Sequence, residues 1–286
     1  MENNKKYSKI LIIGLGLIGG SYAQGLSKKG FNLYALNRSQ KAIDYAINNN
    51  YIIDGFTFDN IPNGFLSSFE YIIMGLYPKA MMDFLNLHKD ELNKNIIITD
   101  VCGVKQVFIN DVQNLIDGEF IGAHPMAGRE VSGIENADYH IFKDANYIIT
   151  PTEKNTEKGI NFTRMIGEEL EFRHIAILSP QKHDEMIAYL SQLTHCIAVT
   201  LMTSRNSEQF INYTGDSFRD LTRIAKINEN MWCELFLENK KDLLSQMDLF
   251  IKEILKLREA IEKEDQETIK NMMILSTERR KKFDNK

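Results

Sequence analysis

The chain has 286 residues, of which 43% are hydrophobic and 26% are charged, and its formal net charge is −5. This composition is typical of a globular protein, and the length suits two domains better than one. The negative net charge argues against a general nucleic-acid or anionic-membrane binder. A local basic site could still hold a small acidic substrate.

Cysteine usage and hydropathy predict a cytoplasmic protein without a metal site. Cys102, Cys196 and Cys233 are odd in number and far apart, which fits neither a disulfide framework nor a metal-ligand pattern. No run of eighteen apolar residues occurs, so no transmembrane span is expected. The segment "ILIIGLGLIGGSYA" imitates a signal peptide, but its regularly spaced glycines and the α/β pattern beyond it favour a folded domain.

The first part of the chain alternates short apolar runs with amphipathic stretches. Strands are predicted over 9–14, 31–36, 70–76, 95–101, 119–124, 146–152 and 172–178. Helices are predicted up to residue 27, over 40–49 and 79–92, and near 155–170. Continuous β-rich runs separated by helices indicate an α/β Rossmann domain with a mostly parallel, doubly wound sheet.

The pattern of predicted secondary structure changes at Ser179. "SPQKHDEM" predicts a helix start with Ser179 as N-cap and Pro180 in the first turn, and almost no strand signal follows. We therefore predict a dinucleotide-binding domain over 1–178 and an all-α substrate and dimerisation domain over 179–286. Apolar residues over 243–261 recur with gaps of three and four, which favours a helix that pairs with other helices, including those of a second subunit.

A glycine-rich motif lies between the first predicted strand and helix. It reads Gly14, Leu15, Gly16, Leu17, Ile18, Gly19. In a βαβ unit, the first glycine permits the tight turn, the second lets the backbone approach a pyrophosphate, and the third allows close helix–strand packing. The motif predicts a dinucleotide site. Further cofactor contacts are expected beyond the next strands, at Leu76, Tyr77, Pro78, Asp100 and Val101.

The end of the second strand bears on cofactor choice. An acidic residue there binds the ribose 2′-hydroxyl of NAD, whereas this chain has Asn37, Arg38 and Ser39. Because an arginine fork can bind a phosphate through two hydrogen bonds, these residues favour NADP. In the alternative, Arg38 lies against the adenine and the enzyme accepts both cofactors.

His124 is the leading candidate for acid–base chemistry. It follows an apolar run in "IGAHPMAG", where Pro125 and Gly128 keep the chain irregular. Because the carboxyl ends of the strands form the reaction site, a neutral imidazole there could accept a proton from a substrate hydroxyl. A lone histidine is as often structural, so both interpretations stay open at this point.

The helical part offers further candidates. His183 falls on the apolar stripe and is expected to be a packed, hydrogen-bonded core residue. His195 lies about 120° round that helix by the α-helical period and could face an interdomain cleft. In "FRDLTRIAK", Arg223 is a better candidate for a carboxylate clamp than Arg219 or Lys226, with a solvated helix face as the alternative.

Five segments, in this order, resemble the prephenate/arogenate dehydrogenase family of tyrosine biosynthesis. They are "GLGLIGGS" (14–21), "TDVCGVK" (99–105), "GAHPMAGREVSG" (122–133), "SPQKHDEMIAYLSQLTH" (179–195) and "FRDLTRIAKINENMWCELFLENK" (218–240). The resemblance implies oxidative decarboxylation of a cyclohexadienyl acid, with hydride transfer to NAD or NADP. It also implies a homodimer.

The same resemblance implies roles for individual residues. His124 matches the base at the ring hydroxyl, and Arg223 matches the arginine that binds a substrate carboxylate. His195 and Ser191 match substrate-pocket positions, Glu130 matches an acid that gates entry, and Trp232 and Asp220 match the dimer-related edge of the pocket. One position departs from the family pattern, because Gly103 stands where members commonly carry a serine that hydrogen-bonds the substrate hydroxyl and the histidine. A water, Cys102 or a backbone N–H of the loop would then replace that hydroxyl.

Three alternatives remain beside prephenate dehydrogenase. The substrate of arogenate dehydrogenase differs from prephenate in carrying an amino instead of a keto group on its side chain. Arg129 favours prephenate, because the prephenate side chain carries only negative charge. A non-catalytic NAD(P)-sensing protein would bind the cofactor without turnover, and Gly103 is the feature in its favour. A hydroxyacid dehydrogenase would carry a lysine on the first helix of the second domain, and "MIAYLSQLTH" has none.

Overall fold

The fold is described from a computed structural model, which covers residues 9–129, 131–206 and 208–284. Its first part holds an eight-stranded sheet in the order β3-β2-β1-β4-β5-β6-β7-β8. The strands are β1 (Lys9–Ile13), β2 (Asn32–Asn37), β3 (Asp54–Thr57), β4 (Tyr71–Met74), β5 (Ile97–Asp100), β6 (Glu119–Pro125), β7 (Asn146–Thr150) and β8 (His174–Ile177). Neighbouring strands are parallel except β6 and β7, which are antiparallel. The predicted Rossmann domain with a mostly parallel sheet is confirmed.

Helices cover both faces of this sheet. They are α1 (Leu17–Lys28), α2 (Gln40–Asn48), α3 (Pro78–His88), α4 (Ile109–Leu115) and α5 (Glu157–Glu169). The alternation of side chains along β1 shows why two layers are needed. Ile10 and Ile12 belong to one buried cluster, and Leu11 and Ile13 belong to another on the opposite face. A strand that is apolar on both faces is stable only between two helical layers.

The second part of the chain is helical. It comprises α6 (Pro180–Ile187), α7 (Leu193–Thr203), α8 (Asp216–Thr222), α9 (Glu229–Glu238), α10 (Lys240–Glu262) and α11 (Gln266–Asp284). Helix α6 begins as predicted, since the Ser179 hydroxyl accepts a hydrogen bond from the backbone N–H of Lys182. The predicted all-α second part is confirmed.

A π-helical segment, Ala188–Gln192, joins α6 to α7. The continuous helix Pro180–Thr203 is long and apolar enough to cross a membrane by length and composition alone, which is weak evidence because core helices pass the same test. The π segment also corrects a prediction. The angle of about 120° between His183 and His195 assumes an unbroken α-helix, and a π turn holds more residues than an α turn.

Two elements of the first part were not predicted from the sequence. Strand β3 contains Gly55, which pairs with Ala35 of β2, and a side chain there would lie 2.8 Å from the Ala35 carbonyl oxygen. Helix α4 has seven residues and no side-chain cap. Both elements are short and weakly patterned, so pairing and packing with the rest of the domain decide them.

The glycine motif forms the turn from β1 into α1. Gly14 has a positive φ of 97°, and a Cβ there would lie 2.5 Å from the Gly75 carbonyl oxygen. A Cβ on Gly19 would lie 1.9 Å from the Gly14 carbonyl oxygen, so the third glycine is required for packing. Around Gly16 no atom lies within 4 Å of such a Cβ, and this residue is exposed. The loop therefore leaves open space at the position where a pyrophosphate approaches the helix N-terminus.

We predict that Gly16→Ala weakens nicotinamide cofactor binding about tenfold or more while the melting temperature stays unchanged. The added methyl group meets no protein atom, but it occupies the space that the pyrophosphate needs. Titration of NADH and NADPH by fluorescence measures the effect. Gly215→Ala is the matched control, because its Cβ also meets nothing within 4 Å. Unchanged affinity for both cofactors in Gly16→Ala would contradict the assignment.

Candidate functional site

The candidate site lies at the carboxyl edge of the parallel strands. Strand β1 lies between β2 and β4, so the chain passes from β1 to β2 and β3 on one side and returns to β4 on the other side of β1. At this reversal of the strand order lies the crevice in which doubly wound sheets bind their ligands. The glycine loop follows β1, Gly75 follows β4, and Cys102 and Gly103 follow β5. His124 is the penultimate residue of β6, on the same edge.

A buried ion pair fixes the loop after β5. Lys105 is fully buried, and its Nζ donates to Asp100 Oδ2 at 2.5 Å and to the carbonyl oxygens of Cys102 and Ala123. Asp100 also accepts hydrogen bonds from the backbone N–H groups of Cys102 and Ala123. The Asp100 carboxylate is therefore inside the protein. It positions the loop and the end of β6, and a cofactor contact at this residue stays a prediction.

His124 is half-buried and belongs to a hydrogen-bonded histidine pair. Its Nδ1 lies 2.9 Å from Nε2 of His183, and the planes of the two rings are inclined at 67° to each other. Burial lowers the pKa of His124 well below its usual value, and His183 and the Lys105 cation lower it further. The imidazole is therefore neutral across the physiological range, which is the form that can accept a proton.

His183 and Asp184 are functional candidates that the sequence did not reveal as such. His183 is fully buried, as its place on the apolar stripe predicts, and its Nδ1 lies 2.6 Å from Asp184 Oδ1. Asp184 accepts hydrogen bonds from the backbone N–H groups of Lys105 and Gln106. The signal available in the sequence was the adjacent His–Asp pair at the start of the helical part.

Gly103 lies beside His124, as the resemblance implies. A Cβ at this position would lie 3.9 Å from His124 Cε1 and 3.5 Å from Leu235 Cδ2, both ordinary contact distances. Cys102 does not supply the absent hydroxyl, because its Sγ donates to the Leu76 carbonyl oxygen at 3.3 Å. Burial also raises the pKa of this thiol well above its usual value. A water or a backbone N–H remains as the replacement.

A second cluster forms on the helical part. The rings of His195 and Trp232 stack with centroids 3.7 Å apart. His195 Nδ1 donates to the Ser191 carbonyl oxygen at 2.9 Å, which fixes its ring. The structure therefore brings the Ser191 carbonyl group and the rings of His195 and Trp232 together.

The predicted charged residues occupy different surroundings. Arg223 is exposed and begins the 3₁₀ turn Arg223–Ala225, which packs against α7, the helix that carries His195. Asp220 is exposed on α8. Arg129 donates to Asp138 Oδ2 at 2.6 Å. Although burial opposes the shift, hydrogen bonds from His140 and Arg129 lower the pKa of Asp138 to about 2. Glu130 lies outside the residues that the structure describes.

The end of β2 contacts the glycine loop through Asn37. Asn37 Oδ1 accepts from the backbone N–H of Leu15, so this side chain holds the loop. The Ser39 hydroxyl caps α2 by accepting from the Ala42 N–H. Arg38 is exposed to solvent. Of the remaining predicted cofactor contacts, Leu17, Ile18, Leu76 and Val101 are half-buried, Tyr77 is exposed, and Pro78 is buried as the first residue of α3.

Buried polar contacts connect the two clusters. Asn239 Nδ2 donates to the Asp184 carbonyl oxygen and to Gln192 Oε1, and Gln192 in turn donates to the Leu235 carbonyl oxygen. Leu235 is also the side chain nearest to Gly103. The His124 end of the sheet is thus packed directly against α6 and α9, and both clusters belong to one region.

Two family models match the chain. The prephenate dehydrogenase nucleotide-binding domain matches residues 23–193, and the prephenate dehydrogenase dimerization domain matches residues 179–275. Among similar proteins, cyclohexadienyl dehydrogenase from Zymomonas mobilis is 30% identical over 268 residues, which cover 91% of this chain and 90% of that protein. Prephenate dehydrogenase from Bacillus subtilis is 29% identical over 275 residues, covering 93% and 73%.

Solved structures agree with these matches. Prephenate dehydrogenase from Aquifex aeolicus, in complex with hydroxyphenyl propionate and NAD+, superposes with a TM-score of 0.87 and 25% identity, covering 98% of this chain and 99% of that one. Arogenate dehydrogenase from Synechocystis shares the fold, with a TM-score of 0.83 at 24% identity, covering 96% and 99%. The chain belongs to the prephenate dehydrogenase family.

Proposed function

We propose that the protein is a prephenate dehydrogenase of tyrosine biosynthesis, which converts prephenate into 4-hydroxyphenylpyruvate and CO2 with reduction of NAD(P). The ring carbon that bears the hydroxyl loses hydride, and the bond to the ring carboxylate breaks to release CO2. The electron pair of that bond enters the ring, which becomes aromatic. The product keeps its hydroxyl proton, so the base that takes this proton in the transition state returns it to the phenol oxygen.

The observation that carries this proposal is the placement of His124. It lies at the carboxyl edge of the sheet next to the β5 loop, three strands from the glycine loop of β1. An extended dinucleotide crossing the edge from β1 toward β5 would bring its nicotinamide to this loop. The lowered pKa of His124 keeps the imidazole neutral and ready to accept the hydroxyl proton.

The glycine loop and the helical cluster supply the remaining roles. The open space at Gly16 fits a dinucleotide pyrophosphate, and a bound nicotinamide would accept the hydride. Arg223 would bind a substrate carboxylate, since a guanidinium matches a carboxylate with two parallel hydrogen bonds. The stacked His195–Trp232 pair would form one wall of the substrate pocket. Arogenate is the alternative substrate, and Arg129 favours prephenate less strongly because Asp138 already pairs with it.

We predict turnover of prephenate by the purified protein, measured as reduced-nicotinamide absorbance together with released CO2. Both substrates are assayed with both cofactors. His124→Asn should lower kcat about 10²- to 10⁴-fold, the usual contribution of a general base, with little change in cofactor affinity. His174→Gln is the control, because this histidine is exposed on β8. No turnover in any of the four combinations would contradict the proposed function, and a fully active His124→Asn would make this histidine structural.

For the cofactor, we propose a preference for NADP, carried by Arg38. Its exposed guanidinium at the carboxyl end of β2 can bind a 2′-phosphate through charge-assisted hydrogen bonds. Arg38→Ala is therefore predicted to raise the KM for NADP about tenfold or more and to change the KM for NAD less than threefold. Steady-state kinetics with each cofactor measure the two values. Equal changes for both cofactors would remove the argument for NADP.

We also propose that the protein is a homodimer formed through the helical domain, with the domain boundary at residue 178. The described part of α10 leaves one face apolar and exposed. It consists of Leu244, Phe250, Ile251, Ile254, Leu255 and Ile261, each between 36% and 59% exposed. Such a contiguous apolar face is typical of a subunit interface. The match of residues 179–275 to a dimerization domain supports this assignment.

Ile254→Glu is predicted to convert the dimer into a folded monomer, because it places a charge in the apolar face of α10. Size-exclusion chromatography with light scattering should show the mass fall to that of one 33.0 kDa chain. Lys252→Glu introduces the same residue away from this face and should leave the dimer intact. A dimer that survives Ile254→Glu would place the interface elsewhere.

A further inference from the structure

Three side chains form a continuous hydrogen-bonded chain that ends at the proposed base. His124 Nδ1 lies 2.9 Å from His183 Nε2, and His183 Nδ1 lies 2.6 Å from Asp184 Oδ1. His183 and Asp184 are only 0% and 1% exposed, so no bulk water competes for these contacts. The chain runs from β6 into the first helix after the sheet, and the role given to His124 above does not require it.

The contacts of Asp184 determine which atom donates and which accepts along this chain. Both carboxylate oxygens accept from the backbone N–H of Lys105, at 2.9 and 3.1 Å, and Oδ2 also accepts from that of Gln106 at 2.7 Å. These contacts are all with donors, which suits an ionised carboxylate that can only accept. His183 Nδ1 therefore carries a proton and donates it to Asp184.

The tautomer of His124 follows from that of His183. Burial lowers the pKa of His183, against the opposing effect of the Asp184 hydrogen bond, so its ring is neutral and its Nε2 has no proton. A bare Nε2 at 2.9 Å needs a donor, and the only donor in that contact is His124 Nδ1–H. The proton of neutral His124 is then on Nδ1, and the lone pair is on Nε2. His124 Cε1, between the two nitrogens, faces Gly103 and the β5 loop.

We propose that Asp184, acting through His183, holds the proton of His124 on Nδ1 and so makes Nε2 the atom that accepts the substrate hydroxyl proton. His183 and Asp184 are positioning residues, since neither touches the substrate. This inference rests on the proposed function for its kinetic consequence, but the tautomer itself is a property of the free protein. Because the product keeps its hydroxyl proton, the chain has to orient the base and does not have to carry a proton away.

A purely structural role has different consequences. Asp184 also ties α6 to the β5 loop through the Lys105 and Gln106 N–H groups. If that were its whole function, loss of activity would follow loss of folding or of cofactor binding. The two roles are separated by a change that keeps the acceptor at Oδ2, which binds the N–H groups of Lys105 at 3.1 Å and of Gln106 at 2.7 Å, but reverses the polarity toward His183.

Asp184→Asn is that change. The asparagine oxygen can keep the Gln106 N–H bond while its NH2 group faces His183 Nδ1, which must then be unprotonated. His183 would carry its proton on Nε2 and donate it to His124 Nδ1, which moves the His124 proton to Nε2. The base then has no lone pair toward the substrate. In the Ser-His-Asp triad the equivalent change lowers kcat ~10⁴-fold through the wrong tautomer.

The first experiment reads the tautomers without substrate. In protein labelled with ¹⁵N-histidine, long-range ¹H–¹⁵N spectra distinguish a protonated from an unprotonated ring nitrogen, and His124→Gln identifies the His124 signals. The expected result is Nδ1–H for both His124 and His183 in the wild type, and Nε2–H for both in Asp184→Asn. A wild-type His124 with its proton on Nε2 would overturn the inference, even if prephenate is turned over.

The second experiment is kinetic. Asp184→Asn should lower kcat about 10²-fold or more, with the KM for prephenate, the affinity for NADPH and the melting temperature within a few-fold or a few degrees of wild type. The acid limb of the wild-type kcat profile, which reports protonation of His124, should lie below the usual histidine pKa of 6.5, because burial lowers the pKa of this residue. Asp117→Asn, at an exposed position after α4, is the control. An unchanged kcat in a variant whose tautomers have switched would overturn the catalytic importance of the chain. If Asp184→Asn does not fold, the wild-type spectrum still decides which nitrogen of His124 carries the proton.

Discussion

The buried ion pair between Asp100 and Lys105 is the contact on which the site depends. Its lysine also donates to the Cys102 and Ala123 carbonyl oxygens, and its aspartate accepts from the N–H groups of the same two residues. A buried pair is stable only when its remaining donors and acceptors are satisfied, and here the backbone on both sides satisfies them. The pair therefore holds the β5 loop against the end of β6 and sets the position of Gly103 relative to His124.

The same ion pair connects the carboxyl edge of the sheet with the helical domain. The backbone N–H of Lys105 donates to Asp184 while its side chain reaches Asp100, so one residue orders both the loop and the contact with α6. Gly122 makes room for it, since a Cβ there would lie 3.1 Å from Lys105 Cδ. The lysine cation in turn helps to keep His124 neutral. Fold stability and the protonation state of the proposed base thus depend on the same few atoms.

Local pattern predicted much of this architecture, because β1, the glycine turn and the Ser179 cap are each set by neighbouring residues. Sequence could not show what depends on distant partners. Strand β3 forms only through pairing with β2, and His183 meets a histidine 59 positions earlier in the chain. The burial of the Asp100–Lys105 ion pair likewise became visible only in the fold.

The π-helical segment Ala188–Gln192 determines the angle around the helix axis between His183 and His195, which contact different parts of the site. His183 points to His124, whereas His195 lies against Trp232. Since one residue more or less turns everything beyond it by about 100°, this stretch of helix cannot change length by one residue without separating the two clusters. Insertions and deletions should be tolerated in the loops of this family far more readily than within these five residues.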